Sequence, residues 1–196
     1  MKLFIVRHGQ TNENAKKIMM GHLDRDLSEI GVKQADKLAE RLKNEKIDFI
    51  YCSDLKRTKN TLLPVLKYHM APVIYDPILR EKKQAIFEGR PAQEYYSERE
   101  RIQNKHWRPE GGENFYDIKR RVRKFVQYLE ANHKQDDNIL IITHGGWKNV
   151  FMSYLLRIPR ETVFLIEFKN TSLSEIELRP DGKHKVEVIN CTKHLR

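Results

Sequence analysis

Residues 2–9 read KLFIVRHG, and the way this stretch ends decides the fold. Leu3, Phe4, Ile5 and Val6 form a short apolar run rich in β-branched and bulky residues, which reads as a buried strand over 2–6. Arg7 and His8 then place a permanent cation and an imidazole where a core strand leaves its sheet, followed by Gly9 and a polar run to Asn14. Open α/β sheets bind ligands just beyond the carboxyl ends of their strands. A second stretch ends in the same manner: NILIIT, residues 138–143, runs into His144, Gly145 and Gly146. In a mostly parallel sheet two such ends can be neighbours, with the imidazoles a few ångströms apart.

The segments between these two ends alternate strand and helix. Residues 10–27 read as a polar loop with Gly21. Residues 28–44 read as a helix capped by Ser28, with Ala35, Leu38, Ala39 and Leu42 at helical spacing. IDFIYCS is a second strand, and DLKRTKNTLLPVLKY a helix in which Pro64 should cost or kink a turn. APVIYDPILRE adds a short extended piece ending at Arg80 and Glu81. Residues 82–112, rich in charge and aromatics, read as a cap insertion of one or two short helices with loops. From Glu113 to Ala131 a stripe of Phe115, Ile118, Val122, Phe125, Val126 and Leu129 predicts a long helix. A helix follows His144 to about Leu156. TVFLIEF, 162–168, reads as a strand, and residues 173–190 as a hairpin turning at Asp181-Gly182. The expectation is one α/β domain over residues 1–196, a three-layer sandwich whose central mixed, mostly parallel sheet carries helices on both faces.

Composition narrows the class of function. The chain has 196 residues, 39% hydrophobic and 33% charged, the balance of a folded globular protein. It has no apolar run long enough to cross a membrane and no leader pattern, and Cys52 and Cys191 form neither a disulfide framework nor a metal-type cluster. A cytoplasmic protein without a membrane partner is expected. The net charge of +10 fits nucleic acid, anionic lipid or a small anionic substrate. The best nucleic-acid patch, KRRVRK at 119–124, reads as a solvated helix face with Val122 turned inward, so nucleic acid is not the expected partner. The sequence sets no oligomeric state.

Four strand ends thus offer Arg7, His8, Arg57, Glu81 and His144. Arginine binds phosphate through a rigid fork of donors, histidine can attack phosphorus, and a carboxylic acid can protonate a leaving oxygen. Each residue alone has a plainer reading: a structural histidine, a surface arginine, a Glu81 that caps a helix. Metal binding by His8 and His144 lacks supporting carboxylate or cysteine spacing.

The motifs as a set resemble the histidine phosphatase superfamily, the family of cofactor-dependent phosphoglycerate mutases and many small-molecule phosphatases. VRHGQTNEN, GHLDRDLSEIGVKQA, SDLKRTKNT, LREKKQAIFEG, PEGGENFYDIKRRV and THGG follow in the family's order over almost the whole chain. The resemblance implies that His8 is the residue phosphorylated, that Arg7, Asn14, Arg57 and the amide of Gly145 bind the phosphoryl group, that His144 is the second catalytic histidine, and that Glu81 is the acid. It implies no metal and no cofactor. His144 is expected as a protonated donor, and the second nitrogen of His8 as a donor to a backbone carbonyl near the strand end. The chain departs from the family at Gln84 and Ala85, where an aromatic-glycine pair is common, and at Phe87. Gly146 stands where mutases typically carry asparagine, LREKKQ differs from their N-E-x-x-Y-G pattern, and the chain is short for that group. The expected activity is hydrolysis of a small phosphorylated metabolite. The alternatives are a 2,3-bisphosphoglycerate-dependent phosphoglycerate mutase and, more remotely, a non-catalytic phospho-ligand binder.

Overall fold

The computed structural model of the chain describes residues 1–159 and 166–196. In chain order these form β1 (Lys2–Arg7), α1 (Asn12–Ala15), α2 (Glu29–Leu42), β2 (Phe49–Cys52), α3 (Lys56–Leu62), β3 (Val73–Tyr75), α4 (Ala92–Ile102), α5 (Phe115–Asn132), β4 (Asn138–Thr143), α6 (Gly145–Leu155), β5 (Leu173–Glu177) and β6 (Lys185–Cys191). The strands make one sheet in the order β3-β2-β4-β1-β5-β6. β1 to β4 run parallel to one another, whereas β5 pairs antiparallel with both β1 and β6. β4 enters between β1 and β2, so the two strands that end in histidine are adjacent, with Arg7 opposite Thr143.

Strand side chains alternate between faces, and the two faces build two cores. Leu3, Ile5, Tyr51, Ile139 and Ile141 pack with α5 and α6, while Phe4, Val6, Ile50, Leu140 and Ile142 pack with α2 and Leu62. The expected helix stripes are the buried ones: Ala35, Leu38, Ala39 and Leu42 on α2, and Phe115 to Leu129 on α5, with Val122 fully buried. The Ser28 hydroxyl accepts from Gly31 N and starts α2. Pro64 cuts rather than kinks its helix: α3 ends at Leu62 and a 3-10 turn, Val65–Lys67, continues from it. The loop expected over 10–27 contains the single turn α1, whose Thr11 and Asn14 cap one another.

Residues 82–112 hold a 3-10 turn, Ala85–Phe87, and α4. The strand expected over 162–168 lies mostly outside the described residues, and 166–168 run as irregular chain. The tail forms the expected hairpin, β5 and β6. Among the described residues no helix is long and apolar enough to cross a membrane.

Candidate active site

The carboxyl ends of β1, β2 and β4 meet at one point. His8 N donates to Thr143 O at 2.9 Å and Ser53 N to Ile142 O at 3.0 Å, so the sheet's own ladder sets the spacing of the residues that follow each strand. His8 is 2% exposed, and its Nδ1–H donates to Gly9 O at 2.7 Å. That bond fixes the tautomer and leaves the Nε2 lone pair without a partner among the described residues. Burial, then the charges of Arg57 and Arg7, hold the ring's pKa well below the usual histidine value. This geometry and burial favour the neutral imidazole with Nε2 as its free lone pair.

His144 precedes α6 as its N-cap and lies 5.2 Å from the His8 ring, edge to face. Its Nδ1 accepts from Arg57 Nε at 3.2 Å, so Nε2 carries the proton and donates to Ser53 Oγ at 2.8 Å. Burial, then Arg57, keep this ring's pKa well below its usual value as well. The expected protonated donor is here a neutral ring, because a cation at full burial beside Arg57 lacks a counter-charge.

Arg57, fully buried, is a strut as much as a cation. Its Nη1 and Nη2 donate to Leu23 O at 2.7 Å and Gly21 O at 2.8 Å, tying the loop after α1 to α3. Burial pulls it down to about 10, so it remains charged at neutral pH. Arg7 Nη1 donates to Phe168 O at 2.6 Å, and burial lowers its pKa too. Arg7 Nε, although buried, has no acceptor among the described residues. A side chain at Gly145 would press on that guanidinium, since a Cβ there would lie 3.3 Å from Arg7 Nε. Glycine lets Arg7 lie flat against the start of α6.

Glu81 reaches the same place from the other side. Its Oε2 accepts from Gly146 N at 2.9 Å, and its Oε1 from Trp147 N at 3.1 Å and Lys82 N at 2.8 Å. The plain reading of Glu81 as a helix cap therefore holds in full: the carboxylate sits on the first turn of α6, where the backbone dipole favours an anion. Its own carbonyl is pinned by His22 Nε2 at 2.9 Å and Arg121 Nη2 at 3.3 Å. Asn14 turns Oδ1 to Thr11 N at 3.1 Å and Asn170 Nδ2 at 3.3 Å, which leaves its Nδ2 group as the end facing away.

Several supporting residues carried no sequence signal. Ser53 and Asn170 are ordinary polar residues whose roles depend on through-space partners; Asn170 Nδ2 also donates to His8 O at 3.0 Å. Lys148 is fully buried under the site, donating to Ile5 O at 2.8 Å and Ser172 O at 2.9 Å. A lysine inside the apolar α6 was the one available hint. Above the site, Phe87, Tyr95 and Trp107 form an aromatic cluster with ring centroids 5.5–6.2 Å apart. Tyr96, by contrast, is 53% exposed, with its ring 5.4 Å from that of Tyr95; burial and the charge of Glu81 raise its phenol pKa.

The sequence profile described as "Histidine phosphatase superfamily (branch 1)" matches residues 3–192. The chain is 33% identical to a broad-specificity phosphatase of Saccharomyces cerevisiae, over 100% of this chain and 87% of that protein. It is 30% identical to a probable phosphoglycerate mutase, GpmB, of Yersinia pestis, over 90% of this chain and 85% of that protein. Among solved structures it resembles a mycobacterial glucosyl-3-phosphoglycerate phosphatase complexed with VO3, with TM-score 0.86 and 27% identity over 97% of this chain and 99% of that one.

Proposed function

Because the chain belongs to the histidine phosphatase superfamily, we propose that it is a metal-independent phosphomonoester hydrolase acting on a small phosphorylated metabolite through a phosphohistidine at His8. One observation carries this reading. The tautomer-locked Nε2 of His8 and a buried Arg7 Nε without an acceptor among the described residues come from the same strand end. An unpaired buried guanidinium N–H is costly, and an entering phosphoryl oxygen satisfies it.

In the first step His8 Nε2 attacks phosphorus, a P–N bond forms, and the P–O bond to the leaving group breaks with its electron pair going to that oxygen. Arg7, Arg57 and the amide of Gly145 hold the phosphoryl oxygens, and Asn14 Nδ2 adds a neutral donor. His144 serves without a second proton if a phosphoryl oxygen replaces Ser53 as the acceptor of its Nε2–H. Glu81, protonated once the anionic phosphoryl group of the substrate enters beside it, gives its proton to the departing alkoxide. Its Oε1 already accepts two N–H groups, which leaves Oε2 as the proton carrier. The resulting carboxylate then takes a proton from water, which attacks the phosphohistidine and returns the Nε2 electron pair to His8. Fixed cations and oriented N–H groups supply the charge stabilisation throughout.

Substrate selection falls to the cap, with Tyr96 and its helical neighbour Arg99 as the groups that meet the non-phosphate end. A mutase is the second reading, supported by the relationship to the Yersinia protein. Supplying 3-phosphoglycerate with a trace of 2,3-bisphosphoglycerate separates the two. The hydrolase reading expects free phosphate and little 2-phosphoglycerate; rapid equilibration of the two monophosphates with little phosphate release establishes the mutase instead. A panel of phosphorylated metabolites then ranks substrates by kcat/KM.

A further inference from the structure

Gly146 has no conformational reason to be glycine. It is the second residue of α6 and is not among the residues with positive φ. Glycine is also a weaker helix former than alanine. The three atoms nearest to where its side chain would begin all belong to Glu81. A Cβ at position 146 would overlap Glu81 Oε1, with Glu81 Cδ at 3.2 Å and Oε2 at 3.4 Å as its next neighbours. The same carboxylate cannot step back freely. Its Oε1 is held from behind by Lys82 N at 2.8 Å, and the Glu81 backbone is fixed by His22 and Arg121.

We propose that Gly146 is a positioning residue for the reaction: its bare Cα is the seat that lets Glu81 bind the first turn of α6 and face the phosphoryl group. This rests on the hydrolase reading above and adds a residue to it. A methyl group at 146 displaces the carboxylate sideways, strips it of the Gly146 and Trp147 amides, and removes it from the path of water. Attack on the phosphohistidine then lacks its base. Formation of the phosphohistidine from p-nitrophenyl phosphate, whose leaving group departs without a proton, is spared.

The test is Gly146→Ala in rapid-mixing and steady-state assays. Expected are a burst of p-nitrophenol close to one per enzyme, accumulation of phosphohistidine, and steady turnover reduced about a hundred- to ten-thousand-fold, the range of a lost general base. In a Glu81→Gln background, Gly146→Ala should cost nothing further, because a residue acting only through Glu81 has nothing left to act on. Wild-type dephosphorylation in Gly146→Ala, or a full additional loss in the Glu81→Gln background, overturns the proposal. Should Gly146→Ala fail to fold, Gly146→Ala with Glu81→Ala decides. Recovered folding supports the seat, and continued failure overturns it. Failure of the hydrolase reading looks different, since the wild-type enzyme would then release no free phosphate in steady turnover of p-nitrophenyl phosphate.

Discussion

At the scale of single residues the site is arranged around uncharged histidines beside charged arginines. His8 and His144 are buried rings, and burial with the charge of Arg57 holds both pKa values well below the usual histidine value. In an imidazole NMR titration of the free enzyme, neither ring should show a protonation step between pH 8 and pH 6. A midpoint at or above the ordinary histidine value of about 6.5 in either ring contradicts this. Arg57 supports both function and structure. Lysine cannot reproduce three donors aimed at His144 Nδ1, Leu23 O and Gly21 O. Arg57→Lys should therefore lower the thermal midpoint as well as kcat/KM, and an unchanged midpoint would reduce Arg57 to a phosphate contact. Sequence reading brought Arg7, His8, Arg57, Glu81 and His144 to strand ends because each follows or closely trails an apolar run. It missed Ser53, Asn170 and the neutrality of His144, since these depend on which loops meet in space.

At the scale of elements, the first turn of α6 organises the pocket. It presents Gly145 to Arg7 and the amides of Gly146 and Trp147 to Glu81. α4 is a separate matter: it is held over the site by the cluster of Phe87, Tyr95 and Trp107. Trp107→Ala should loosen that hold and raise KM for the preferred metabolite several-fold, while kcat for p-nitrophenyl phosphate changes little. Equal losses on both substrates in parallel assays would mean that the cap shapes the phosphoryl pocket itself. The amphipathic helices α2 and α5 were legible because a stripe at 3.6-residue spacing has one physical explanation. The cap was legible only as charged and aromatic. Nothing in a sequence distinguishes Tyr95, which packs inward, from Tyr96, which is exposed.

At the scale of the molecule, the neutral buried histidines link stability to pH. In the unfolded chain both rings take up protons at about 6.5, whereas in the folded chain they do not until pH is well lower. The unfolded state therefore binds more protons as pH falls below about 6.5, and stability is lost from there downward, by up to about 1.4 kcal/mol per pH unit for each ring. Urea unfolding at pH 7.5 and pH 5.5 should show the drop, and His8→Asn should reduce its slope; equal stability at both pH values would contradict the burial argument. The α/β class followed from the alternation of strand and helix patterns. The sheet order did not, because the insertion of β4 between β1 and β2 is a long-range pairing that no local pattern encodes. Only the matching His-Gly endings hinted that β1 and β4 are neighbours.

The central claim is that His8 carries the phosphoryl group. Mixing enzyme with a 32P-labelled substrate, quenching within milliseconds and mapping the label tests it most directly. The account predicts an acid-labile, base-stable phosphoprotein with its label on His8, formed and lost fast enough to account for turnover and absent in His8→Ala. Turnover with no labelled protein at any time, or label retained in His8→Ala, would contradict it.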